Sequence, residues 1–409
     1  MNHPTDKLGA PVEGKQRHII LDALRGIALL GICLANFPEF SLYSFLDKDA
    51  AEALPTAGTD HIVKYLLYIF IDGKFYTIFS LLFGIGFSII LANNRSRGAN
   101  GTIIFYRRMC ILLVIGFAHL MLLWSGDILM LYALIGMLLP LFLKMSDRTI
   151  LCSAVLLLAL PIAIDYSCEA FGISLSSQLT EWQWQLCHRY GITEQNFAYW
   201  LSDADSYRDI FKFLCMGSVE RMQEFVDGNR YFKVLGLFLI GFYIGRNRLY
   251  ARLSEHTLFI KRTCTIGLLA GLPLSALYAW SAISGHPLGT GTHTLLYFIS
   301  VYITSFGYIA ALSLIYLKHS DWRLWRLFSY PGRMALTNYL GQSVAGIIIF
   351  YGIGFGLGAK IGLVYADLIA LAVFILEILL SCIWLRHFRF GPFEWLWRCL
   401  TYKRLFPLR

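Results

Sequence analysis

The chain has 409 residues, of which 57% are hydrophobic and only 15% charged, and its mean hydropathy is +0.59. A soluble chain carries about 25% charged residues, so lipid rather than water must solvate most of this surface. The formal charge of +9 lies in short clusters between apolar runs, which argues against a nucleic-acid partner and for orientation in a membrane.

Apolar runs predict transmembrane spans at 19–37, 62–92, 109–124, 129–143, 150–166, 231–245, 263–283, 293–317, 335–353 and 363–385. The first run lacks a small-residue cleavage site and reads as a retained span, not a signal peptide. The second is long for one span, and Asp72-Gly73-Lys74 interrupts it. A re-entrant or interfacial piece followed by a true helix at 76–92 is expected there.

Basic residues mark alternate connections. One set carries Lys7, Lys15 and Arg17, then Arg95, Arg97, Arg107 and Arg108, then Lys144 and Arg148. It continues through Arg246, Arg248, Arg252, Lys261 and Arg262, then Lys318, Arg323, Arg326 and Arg333, and ends on the Arg386–Arg409 tail. The opposite short connections carry Lys48 and Lys360. The positive-inside rule then puts both termini in the cytoplasm and gives an even number of spans. The expected fold is all-α, a polytopic bundle of about ten spans in a bacterial inner membrane. It forms a single integral domain over 1–409, with the lipid bilayer as its constant partner and a homodimer left open.

Residues 167–230 form a long outer loop. Phe211, Leu214, Met222 and Phe225 recur there at helical spacing, which predicts an amphipathic helix on the membrane surface or over the bundle mouth. Trp182, Trp184 and Trp200 suit an interfacial belt. A scaffold cap and a substrate lid both fit. Cys168, Cys187 and Cys215 fall in this loop, and two of them are free to pair as a disulfide that the sequence does not choose. The nine cysteines show no CxxC or Cys/His ligand spacing, so no metal site is expected.

Polar groups inside spans need a reason. Asp22, Arg25 and Asn36 fall within roughly 60° of one face of the first helix. Asp22 and Arg25 can pair at i,i+3, either as a structural lock or as the wall of a cavity open to the cytoplasm. Gly26 permits close approach of backbone or ligand. His119 lies inside the third span, either as a satisfied core residue or as a base. Asp127 follows at the turn Ser125-Gly126-Asp127, and it can orient the imidazole only if that turn folds it back. His61, in the first outer loop, is the rival histidine. Lys74 is read as a snorkelling side chain, part of a helix-start turn, or an ammonium for an anionic group. Asn338 and Gln342 share a face of the ninth span, as helix glue or as ligand contacts. Glu377 and Ser381 do the same in the tenth. The aromatic, basic tail from Phe390 to Arg398 reads as an interfacial anchor.

Several blocks resemble the bacterial YeiB family. They are Leu21-Asp22-x-x-Arg25-Gly26-x-Ala28-Leu29 with Asn36, Lys74-Phe75 before Leu82-Phe83-Gly84, and Gly116-x-x-His119 before Gly126-Asp127-Ile128-Leu129. Gly332-Arg333 through Asn338 and Gln342, and Ser381 through Arg386 to the Gly391–Arg398 tail, complete the set. The first helix also resembles, more weakly, heparan-α-glucosaminide N-acetyltransferase and related transmembrane acyltransferases. That resemblance implies an acyl group taken from cytosolic acyl-CoA and delivered to a periplasmic or lipid-linked acceptor, with a histidine at the centre. On this expectation His119 is the base or transient acyl carrier, oriented by Asp127. Asn338 and Gln342 hold the thioester oxygen, Lys74 meets an anionic group, Asp22 and Asn36 line the site, and Arg25, Arg108 and Arg333 meet the coenzyme phosphates. The alternative is a transporter or solute-binding protein in which Asp22, Glu377 and His119 form a relay.

Overall fold

The computed structural model describes residues 18–409. Lys7, Lys15 and Arg17 lie outside the described residues, and with them the expected placement of the N-terminus. All regular structure among the described residues is helical. In chain order the α-helices are α1 (Ile19–Phe40), α2 (Lys48–Glu52), α3 (Ala57–Phe70), α4 (Lys74–Ser96), α5 (Gly101–Leu122) and α6 (Leu129–Gly136). They continue with α7 (Asp147–Phe171), α8 (Ser177–Tyr190), α9 (Tyr207–Asp227), α10 (Arg230–Arg246), α11 (Thr257–Leu269) and α12 (Gly271–Ile283). The last five are α13 (Thr290–Lys318), α14 (Arg323–Arg333), α15 (Ala335–Phe350), α16 (Leu363–His387) and α17 (Pro392–Tyr402).

Seven helical stretches are long and apolar enough to cross a membrane: α1, α3 with α4, α5, α7, the run ending in α11 and α12, α13 and α16. The stretch Leu129–Phe142, α15 and α10 are shorter. Each expected apolar run falls on helix. The interruption at Asp72-Gly73-Lys74 is a real break, because Gly73 takes φ +71° and a Cβ there would lie 2.9 Å from both the Tyr297 hydroxyl and Val301.

The bundle has a basic end and a loop end. At the basic end Arg246 donates to Met145 O (2.8 Å), Arg107 donates to Thr401 O (2.9 Å), and His18 stacks on Tyr250. At the loop end Asp60 caps the start of α16 through Val364 N (2.9 Å), and Glu169 accepts from Gly291 N (3.0 Å). α1 runs between the ends and crosses α14 with almost no side-chain spacing. A Cβ on Gly26 would sit 1.9 Å from Phe328 O, and one on Gly332 would sit 1.9 Å from Asp22 O. Small residues allow such contact where helices associate by close packing in lipid.

α9 lies across the loop end. Its buried face is Ile210, Phe213, Leu214, Met216, Val219 and Phe225, while Phe211 and Met222 are exposed. The stripe expected from sequence was therefore half right, because Ser125 of the α5–α6 turn packs against Gly217 and rotates the contact face. Trp182 and Trp184 are exposed, and Trp200 donates to Asp209 O (2.9 Å). All nine cysteines, including Cys168, Cys187 and Cys215, are free thiols.

Candidate functional site

α5 ends where Leu123 and Trp124 both donate their backbone N–H to His119 O, each at 2.9 Å. The chain then turns at Ser125-Gly126. A Cβ on Gly126 would meet the Trp124 ring at 2.0 Å, so the turn needs glycine. This folds Asp127 back against α5. Its Oδ1 lies 2.9 Å from His119 Nδ1, and its Oδ2 accepts from Met130 N at 2.7 Å, which starts α6. One carboxylate thus begins a helix and orients an imidazole.

His119 Nε2 lies 2.8 Å from Ser343 Oγ on α15. With Nδ1–H held by the carboxylate, Nε2 is an acceptor, and at 2.8 Å it takes the Ser343 hydroxyl hydrogen ahead of Tyr339 O at 3.4 Å. His119 is 2% exposed, Asp127 1% and Ser343 0%. The result is a buried carboxylate–imidazole–hydroxyl chain that joins the α5–α6 turn, α5 and α15, the geometry in which an imidazole can take a proton from a nucleophile. Ser343 was not singled out from the sequence. Its partner is 224 residues away, and on α15 it is one polar residue among Thr337, Asn338 and Gln342.

A cavity of about 840 Å³ lies beside this chain. Asp22, Arg25, Arg108, Arg333 and Arg398 line it at the basic end, Leu29, Phe79, Phe83 and Leu112 in the middle, and Asn36, Glu39, Arg221 and Lys233 at the loop end. Along α1 it extends from Asp22 to Glu39, roughly 25 Å at 1.5 Å per residue. It therefore reaches most of the way across a hydrocarbon core of about 30 Å. Tyr339, Gly126 and Ile128 face the cavity. The Tyr339 ring lines the cavity and lies 5.2 Å from the His119 ring, which does not line it.

Asp22 and Arg25 pair at 2.8 Å, and Arg25 also donates to Gly332 O (3.3 Å). Asn36 is on the same wall. Arg108 lies over the Trp397 ring at 3.4 Å, and Trp397 Nε1 donates to Arg108 O (2.9 Å), so the tail helix α17 shapes the basic mouth. Arg333 reaches Arg389 O at 3.4 Å. Glu394 of the tail caps α15 by accepting from Leu336 N (2.7 Å), Thr337 N (3.0 Å) and Thr337 Oγ1 (2.6 Å). The tail is thus a clamp on α5 and α15.

Three expected ligand contacts are engaged elsewhere. Lys74 is fully buried, does not snorkel, and donates to Tyr68 O (2.6 Å), closing the turn that starts α4. Asn338 donates to Ser381 Oγ (3.0 Å) and Gln342 to Glu377 Oε2 (2.9 Å). These are two rungs between α15 and α16, and neither amide lines the cavity. His61 is exposed on α3 and meets the Tyr65 ring edge to face.

The fold and the cavity define a polytopic α-helical membrane protein with an internal cavity, polar at both ends and apolar between them. The chain belongs to the YeiB-like family. It is 31% identical over 408 residues to the uncharacterized protein YxaH of Bacillus subtilis (strain 168), covering 97% of each chain. It is 28% identical to the uncharacterized protein YeiB of Escherichia coli (strain K12), covering 96% of this chain and 98% of that one. An uncharacterized 39.9 kDa protein from the amylase 3' region of Bacillus acidopullulyticus is 28% identical over 97% of each chain. Residues 244–404 match the family described as a protein of unknown function (DUF418). No solved structure matches.

Proposed function

We propose that the protein is a membrane-embedded acyltransferase that takes an acyl group from acyl-CoA at the cytoplasmic, basic end and passes it to an acceptor entering from the periplasmic end. The observation that carries this is the Asp127–His119–Ser343 chain beside a cavity reaching toward both ends of the bundle. Ser343 Oγ attacks the thioester carbonyl while His119 Nε2 takes its proton. The C–S bond breaks and the thiolate leaves with that proton as coenzyme A. An acceptor hydroxyl or amine then attacks the seryl ester, gives its proton to His119, and restores the Ser343 hydroxyl. Asp127 holds the Nδ1–H tautomer in both steps. The Tyr339 ring must swing aside to admit the thioester. Arg25, Arg108 and Arg333 suit the coenzyme's phosphates at the mouth. Asn338 and Gln342, bonded to α16, take no part in the chemistry. Reporter fusions after Asn94, Arg248 and Arg404 should read cytoplasmic and one near Gln195 periplasmic.

The test is labelled acyl-CoA supplied to inside-out vesicles, scoring label on protein, lipid and glycan. Wild type should acquire acyl ester on Ser343 when acceptor is limiting. Ser343→Ala and His119→Ala should lose at least about 10³-fold in transfer while still binding coenzyme A. His61→Ala should be unaffected. If wild type neither binds coenzyme A at millimolar concentration nor turns over any thioester, acyl transfer is wrong and the cavity belongs to a transporter.

A further inference from the structure

The turn that folds Asp127 back to His119 is also gripped from outside, by α9. A Cβ on Gly217 of α9 would lie 2.7 Å from Ser125 Cβ and Oγ, so the helix packs directly on the turn. One helical turn further on, Arg221 donates from Nε to Ser125 O at 2.9 Å.

Arg221 is 6% exposed, and the rest of its guanidinium is engaged as well. Nη1 donates to Glu224, one turn along α9, and Nη2 donates to Glu39 near the end of α1 at 3.4 Å. The group also lies 5.9 Å from the centre of the Trp124 ring. One buried side chain therefore ties α9, α1 and the α5–α6 turn together. A planar fork serves three acceptors in fixed directions, which a single ammonium does not.

The turn has a reason to need that grip. Upstream it is held by the amides of Leu123 and Trp124 on His119 O, and downstream by Asp127 Oδ2 on Met130 N. Between them lies the Ser125–Gly126 peptide. Glycine supplies no side chain to fix that plane and has the widest backbone freedom. Rotation of the plane would swing Asp127 away from Nδ1. Arg221 holds its carbonyl, and so sets the plane.

We propose that Arg221 is a positioning residue. By holding Ser125 O it keeps the Asp127 carboxylate aimed at His119, so the orientation of the imidazole depends on the docking of α9. The effect on rate rests on the acyl-transfer reading, whereas the positioning itself is measured without turnover.

Amide exchange on purified full-length protein in detergent makes that measurement. Met130 N–H is protected by Asp127 Oδ2, so loss of aim exposes it. Arg221→Gln should speed exchange in the peptide spanning 124–130 at least about tenfold, the loss expected for one bond from a charged donor. α15 and α16 should keep their wild-type rates. Lys212→Gln is the control on the same helix, where the ammonium bonds Asp209 at 2.6 Å, and it should leave the 124–130 peptide unchanged. Arg221→Lys, which keeps the charge and loses the fork, is held to the same threshold should Arg221→Gln fail to fold. In the vesicle assay the Arg221 variant should lower kcat at least about tenfold at an unchanged KM for acyl-CoA. Faster exchange in a protein whose wild type turns over no thioester upholds the positioning and fails the acyl-transfer reading. Unmoved exchange, or unmoved kcat in a protein that does turn over, overturns the proposal. So does exchange that rises equally in Lys212→Gln or throughout α15 and α16, which would make Arg221 a general support of the fold.

Discussion

The polar residues of the bundle fall into two regions that behave differently. Along α5, α15 and α16 they are sealed from the cavity and bonded to one another: Asp127 with His119, His119 with Ser343, Gln342 with Glu377, Asn338 with Ser381. Along α1 and α10 they face open space: Asp22 and Arg25 pair on the cavity wall, and the Lys233 ammonium rests over the Tyr297 ring. In the sealed region a polar side chain fixes helix against helix, because an unmade bond has no water to replace it. In the open region the same residue types border space. The acyl-transfer proposal joins the two at Tyr339.

Breaking the sealed region should have the largest effect. Asp127→Ala removes the acceptor from His119 Nδ1 and the cap from Met130 N together, leaving two buried donors unpaired. A loss of about 2–4 kcal/mol is expected, read as an earlier detergent melt. Asp127→Asn keeps the cap acceptor and should lose less. Equal, wild-type melts for both would place Asp127 in water. Glu377→Ala strands the Gln342 amide and should destabilise by about 1–3 kcal/mol, whereas Glu377→Gln, which can still accept that bond, should be nearly silent.

The open region should tolerate more. Burial of Asp22 and Arg25 together, as the sequence allows, would make removal of either cost several kcal/mol. The pair instead faces the cavity, with side chains 12% and 28% exposed. Asp22→Ala or Arg25→Ala is therefore expected to cost about 1 kcal/mol in the melt while weakening coenzyme binding at the mouth. A loss of several kcal/mol in both would close the cavity at that point and merge the two regions.

What was legible in the sequence follows the same division. The face shared by Asp22, Arg25 and Asn36 could be read because helical period places residues without knowledge of neighbours. The turn at Gly126-Asp127 was visible as a turn, but its closure depends on two backbone bonds to His119 O that no residue type announces. Asn338 and Gln342 were visible as a face, and so were Glu377 and Ser381. Both pairs repeat at i,i+4 on successive helices, a ladder signal that was open to reading as mutual pairing. Lys74 misled because a lysine near a boundary usually snorkels, whereas a free carbonyl of the preceding helix end, Tyr68 O, satisfies it indoors. Ser343 could not be told from the other polar residues of α15, because only the tertiary fold sets an imidazole beside it.

The smallest expected effect lies in α9, across the loop end. Glu220 on α9 is pushed up to about 7, first by burial, then by repulsion from Glu224 and Glu39, against attraction to Arg221. Its ordinary value in an unfolded chain is about 4.3. Below that value both states hold the proton and the shift has no consequence. Between it and about 7 the folded state holds more protons than the unfolded one, so stability falls as pH rises, and above about 7 the penalty is complete. α9 should therefore pack more firmly at pH 5.5 than at pH 8. Glu220→Gln keeps the shape and removes the charge. It should match wild type at the lower pH and melt on the order of 1–3 °C higher at the upper one. Amide exchange in α9 should slow in the variant at pH 8 and leave α15 and α16 unchanged, since no titrating contact ties Glu220 to their rungs. A variant that melts lower at pH 8 would mean that the charged carboxylate holds α9 down through Arg221, and that the helix is locked by ion pairing rather than loosened by repulsion.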